Sequence, residues 1–95
     1  FAKLKGLLFK PMLDDREAIV LTRCNSVHTC GMQYAIDVIF LSKQFKVVRI
    51  ESDCKPWRFF YCRGAAHTLE MLAGQADTLR LGVGQTFIFY PTSTE

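Results

Sequence analysis

Cys24 and His28 stand four residues apart, and a thiol needs a neighbouring base or cation to become a nucleophilic thiolate. Asp37 or Glu70 could orient the imidazole of such a pair. Spacing argues against it. On an extended segment, residues four apart lie about 13 Å from one another, beyond a direct hydrogen bond unless the chain bends. The packing reading, which is favoured, makes Cys24 a small buried hydrophobe and His28 a donor to a backbone carbonyl. Cys24, His28, Cys30 and His67 also supply the two sulfurs and two nitrogens that zinc accepts. The cysteine spacings C-x5-C and C-x7-C lack the paired C-x-x-C knuckle of a structural zinc site, so no metal and no cofactor is expected.

Asp37 sits inside the apolar run Ile36–Leu41, where an ionised carboxylate is costly unless hydrogen bonds or a polar pocket receive it. As a structural acceptor it would tie its strand to backbone amides or an arginine. As a functional group it would form one wall of a ligand pocket shared with Cys24, His28 and Glu70. Further along, Lys55-Pro56-Trp57-Arg58-Phe59-Phe60-Tyr61 mixes rings with cations. Such a mixture serves protein interfaces, single-stranded nucleic acid platforms and membrane surfaces. The bland alternative caps an open end of a sheet with these rings, leaving Trp57, Arg58 and Phe59 as a candidate rim.

The elements that must position these groups are mostly strands. Ala18–Leu21 is a short β-branched run, and Ile36–Leu41 with Lys46–Ile50 reads as an antiparallel hairpin across a short polar turn. Between Cys24 and Cys30 alternation would set Cys24, Ser26, His28 and Cys30 on one face, with Val27 and Thr29 on the other. Ser52–Pro56 reads as a loop, Thr68–Leu72 as a strand, and Thr86–Tyr90 as a last strand stopped by Pro91. Two short helices are expected. One spans Ala2–Phe9 and ends before Pro11; the other spans Gln75–Leu81 and closes on Gly82. The fold expected is mainly β, a β-rich α+β domain, barrel-like or sandwich-like, formed as one unit from residues 1–95.

Composition excludes several classes. With 49% hydrophobic and 22% charged residues, the 95-residue chain has the balance of a packed protein rather than a disordered one. The net charge of +3 comes from scattered Lys and Arg without a dense basic run, so there is no strong nucleic-acid signal. No stretch approaches the ~18 consecutive apolar residues of a membrane-spanning helix. Four cysteines fall short of disulfide-scaffold density, which favours free thiols in a reducing, cytoplasmic setting. Because the chain begins at Phe1, an exported form stays open.

The run Cys24-Asn25-Ser26-Val27-His28-Thr29, then Met32, then Ile36-Asp37-Val38-Ile39-Phe40-Leu41, resembles the signature of the prokaryotic domain-of-unknown-function family one hundred and ninety-two. Gly6-Leu7-Leu8-Phe9, Pro56-Trp57-Arg58, Leu69-Glu70, Ala73-Gly74 and Gly82-x-Gly84 follow in the same order. The resemblance implies a small β-rich domain without assigning an activity, substrate or cofactor. Two departures stand out: Gln85 occupies a place where the family usually carries an acid, and Cys30, Cys54 and Cys62 lie outside the pattern. The functional expectation is a non-enzymatic binding or accessory module with a polar pocket, its partner an unknown protein or small ligand. The rivals are a small Cys/His-dependent enzyme and a weak nucleic-acid-binding module.

Overall fold

A computed structural model describes residues 18–88. Among these residues, six strands and one short helix follow in order: β1 Ala18–Leu21, β2 Ser26–His28, β3 Ile36–Leu41, β4 Val47–Cys54, β5 Phe59–Tyr61, β6 His67–Leu72 and α1 Gln75–Thr78. Four of the strands form an antiparallel sheet in the order β1-β6-β3-β4, while β2 and β5 form a separate antiparallel ribbon. Among the described residues the two sheets do not close into a barrel. Among the described residues no helix is long and apolar enough to cross a membrane. The expected helix Ala2–Phe9 lies outside the described residues.

β3 reads Ile-Asp-Val-Ile-Phe-Leu without polar alternation because both of its faces are covered. On one face Ile36, Val38 and Phe40 join Ile19, Leu21, Met32 and Cys54, roofed by Val27 and Phe60 of the ribbon. On the other, Ile39, Leu41, Leu69 and Met71 pack with Val47, Ala76, Leu81 and Phe87. Register assigns the polar members to these faces: Asp37 pairs with Met71, whereas Glu70 pairs with both Val38 and Ile19.

Three expectations change in the structure. Ser52–Cys54 is strand, because β4 continues past the hairpin to pair Cys54 with Ile36 across a register shift. That shift is a β-bulge, and Asp53 within it takes the left-handed conformation at φ 56°. The strand expected at Thr86–Tyr90 is reduced, among the described residues, to an isolated bridge from Thr86 to Lys46. The helix at Gln75 is one turn long, and Arg80 rather than Gly82 closes it. Arg80 adopts φ 56°, its N–H donates to the Asp77 carbonyl, and the Leu81 N–H reaches back to the Ala76 carbonyl at 2.9 Å. This is a Schellman closure, and the accompanying apolar contact is made by Leu81 and Ala76 in the second core cluster.

A Cβ in the left-handed region costs about 1 kcal/mol, which glycine avoids. Arg80→Gly is therefore expected to raise the unfolding free energy by roughly 0.5–1 kcal/mol in urea titrations. An unchanged or lowered stability would show that the arginine side chain supplies a compensating contact.

Candidate functional site

Asp37 is almost completely buried, and its neighbours explain how the charge is tolerated. Oδ1 accepts the Asp53 N–H at 2.9 Å; Oδ2 accepts those of Gly74 at 3.0 Å and Ala76 at 2.9 Å. The first bond holds the β4 bulge. The other two replace the side-chain cap that α1 lacks, since Gly74, at φ 93°, offers none. Beside this carboxylate opens a pocket of about 670 Å³ walled by Asp37, Ser52, Asp53, Gly74, Asp77 and Leu81. Asp53 at its edge is paired with Lys55 at 2.9 Å.

Glu70 lies on the opposite face of the sheet and is equally buried. Its register partners are apolar, and Oε1 has no hydrogen-bond partner among the described residues. Burial alone pushes its carboxyl up from 4.5 to about 7, so the neutral form is favoured in the fold. Cys54 responds similarly: burial, then the Glu51 and Asp37 carboxylates, push its thiol up to about 12, which makes it unreactive at neutral pH.

Cys24 is half-buried, donates Sγ–H to the Ser26 carbonyl at 2.9 Å, and lines a different pocket together with His67. His28 is exposed on the outer face of the ribbon, opposite Phe59 in register, with Nδ1 accepting the Cys30 N–H at 3.3 Å. The four residues expected to share one pocket thus occupy four different settings. Asp37 faces the acidic pocket, Glu70 the inner core, Cys24 the pocket containing His67, and His28 the ribbon surface. Among the described residues no group of three or more His, Cys, Asp or Glu side chains is arranged to hold a metal ion.

Thr29, not among the candidate site residues, organises the aromatic segment. Fully buried, it donates Oγ1–H to the Lys55 carbonyl at 2.7 Å and accepts the Arg58 N–H at 2.7 Å, while its own carbonyl accepts the Trp57 N–H at 3.1 Å. This clamp holds the loop before β5 with Trp57 at φ 65°. In β5 the alternation turns Phe60 inward and Phe59 and Tyr61 outward. Trp57, Phe59 and Tyr61 are 67%, 69% and 51% exposed, and Arg58 is exposed beside them.

The family model of the uncharacterised ACR group, domain-of-unknown-function family one hundred and ninety-two, matches residues 1–89. The chain belongs to this family. None of the curated proteins matches it. Among solved structures it resembles a protein of unknown function from Novosphingobium aromaticivorans, with TM-score 0.75 and 24% identity over 84% of this chain and 62% of that one. It also resembles a suspected transcription regulator from Sinorhizobium meliloti, with TM-score 0.73 and 19% identity over 83% of this chain and 67% of the other. The chain thus spans 62% of the first neighbour's length, and at these identities the likeness establishes the fold alone.

The family's residues fall at structurally decisive places. Met32 is in the core, Ile36–Leu41 is β3, and Ala73-Gly74 leads into the amides that Asp37 receives. The departure at Gln85 also has a physical account. Its Oε1 accepts the Gly82 N–H at 3.0 Å while Nε2 donates to the Arg80 carbonyl at 3.1 Å, and a carboxylate could make only the first bond.

Asp37→Ala would strand three backbone donors, and a loss of about 3–5 kcal/mol is expected in urea unfolding. Faster hydrogen exchange at the Asp53, Gly74 and Ala76 amides should accompany it, and unchanged exchange there would contradict the assigned role. For Glu70 the folded-state value is raised, so folding takes up a proton between pH 4.5 and about 7. The stabilisation is fully present below pH 4.5 and is lost as pH rises through about 7, a change of up to about 3 kcal/mol. Glu70→Gln should flatten that dependence and raise stability at pH 8; equal pH slopes for the two proteins would refute it.

Proposed function

We propose that this domain is a non-enzymatic binding module that docks an acidic segment of a protein partner on the outer face of the β2–β5 ribbon. The observation that carries the reading is the placement of Trp57, Phe59 and Tyr61. Among the described residues these are the only exposed Phe, Tyr or Trp rings, and all three belong to one strand and the loop before it. Burying rings of this size against a partner contributes about 2 kcal/mol each, and aromatic anchors of this kind dominate interface energetics. A small domain that needs aromatics for its core gains nothing by leaving three of them in water.

The charge of the rim supports an acidic partner. Arg58 and Arg63 are exposed, and among the described residues neither has a carboxylate partner, whereas Lys55 is already engaged by Asp53. Arg58 holds its guanidinium near the Pro56 and Trp57 carbonyls, at 3.5 Å and 3.4 Å. The Thr29 clamp sets these groups in place before binding, which lowers the ordering cost of association. Catalysis by a Cys24–His28 dyad is disfavoured, because the Cys24 thiol donates to a carbonyl and His28 faces solvent on the ribbon.

In-cell photo-cross-linking from benzoylphenylalanine at position 61, with position 83 as control, tests the reading. A recurrent protein adduct is expected at 61, absent at 83 and lost on Arg58→Glu. Equal yields at both positions would overturn it. So would quenching of the single tryptophan by oligothymidylate at moderate salt, the behaviour of a single-stranded nucleic acid platform such as the suspected regulatory role of the second neighbour allows.

A further inference from the structure

Three segments distant in sequence bring basic side chains around one concavity on a different part of the molecule. The β1–β2 connection supplies Arg23 and Asn25, the hairpin turn between β3 and β4 supplies Lys43, and the start of β6 supplies His67. Ala65 and Ala66 complete the lining of a space of about 440 Å³. Among the described residues, no aspartate or glutamate lines the space. The surrounding backbone is tied together: the Ala66 N–H donates to the Leu41 carbonyl at 2.7 Å, and the Cys24 N–H donates to the Ala66 carbonyl at 2.9 Å. The Thr68 hydroxyl adds a bond of 2.7 Å to the Cys24 carbonyl.

His67 is held in one orientation and one tautomer. Its ring stacks on Phe45 at a centroid distance of 4.4 Å and an interplanar angle of 12°. Nδ1 accepts the Arg23 N–H at 3.1 Å, so in the neutral ring the proton resides on Nε2, which makes no hydrogen bond among the described residues. The bond also holds Arg23 at φ 55°, a left-handed backbone uncommon for a residue with a Cβ. Lys43 is exposed and makes no hydrogen bond or ion pair among the described residues. The side-chain amide of Asn25 likewise makes no hydrogen bond among the described residues.

We infer that this concavity binds a small organic dianion, a phosphomonoester or a dicarboxylate. Arg23 and Lys43 neutralise its charge, and His67 Nε2–H and the Asn25 amide donate to its oxygens. Volume favours an organic ligand over a bare ion: the space lies within the range of small-molecule sites, whereas a single water needs only about 30 Å³. The site shares no lining residue with the aromatic rim. It converts a strained arginine, a pinned histidine and a lysine without a partner into parts of one device.

Isothermal titration calorimetry on the whole chain, with glycerol 2-phosphate, succinate, inorganic phosphate and glycerol as probes, tests this assignment. One of the two organic dianions is expected to bind with a sub-millimolar Kd, at least tenfold tighter than inorganic phosphate, and glycerol should give no heat. Which of them binds separates the phosphate from the carboxylate source. Lys43→Gln, an exposed turn position, should weaken binding about tenfold, and Arg23→Gln at least as much, with backbone amide shifts confined to residues 23–25, 43 and 65–67. Binding equal to that of inorganic phosphate, affinity unchanged in Lys43→Gln, or shifts elsewhere on the chain would overturn the assignment.

Discussion

One carboxylate and three amides connect the parts of this fold that sequence leaves apart. Asp37 projects from the central strand into the junction where the β4 bulge meets the turn after β6, and receives an N–H from the first and two from the second. Without it the bulge residue Asp53 and the entrance to α1 would each bury or expose unpaired donors. The cost of burying an ion is met by donors oriented at fixed positions, the arrangement in which charge-assisted bonds are strongest. Through α1 the same bonds hold Ala76 and Leu81 over the second core cluster. The acidic pocket beside them is a consequence of the junction rather than a separate feature.

Backbone strain is distributed along the edges of the molecule and pinned by individual hydrogen bonds. Arg23, Phe45, Asp53, Trp57 and Arg80 all adopt positive φ without being glycine. Asp53 is held by Asp37, Trp57 by the Thr29 carbonyl, Arg23 by His67, and Arg80 by its Schellman bonds. Two of these positions lie where binding is proposed, Trp57 on the ribbon and Arg23 beside the basic concavity. Strain enforced by surroundings pre-orients side chains, which lowers the ordering cost when a partner arrives.

The two buried carboxylates differ in the hydrogen bonds that receive them. Asp37 and Glu70 are almost equally inaccessible and lie on adjacent strands, separated only by the face each one addresses. Asp37 has three donors, whereas Glu70 lies between Ile19 and Val38 with Oε1 lacking a partner among the described residues. Burial raises the proton affinity of Glu70, to about 7. A neutral acid in the interior is a quiet structural group near or below that pH and a source of strain above it.

Local pattern alone located β1, the β3–β4 hairpin, β6 and the turn at Gly74, because alternation, β-branched runs and turn residues act over a few positions. It also singled out Asp37, as an acceptor for backbone amides or an arginine or as one wall of a pocket, and named Trp57, Arg58 and Phe59 as a candidate rim. The face each side chain addresses was not legible: a bulge shifts register by one residue, and neither its place in β4 nor the pairing of β6 beside β3 is encoded in spacing. Hence Asp37 and Glu70, both acids in strands, could be read as sharing a pocket until pairing put them on opposite sides of the sheet. The same holds for Cys24, whose histidine neighbour is His67 rather than the nearby His28. Chain proximity sets only what a strand can reach along its own axis; which distant segments meet is decided by how the sheets pair and pack.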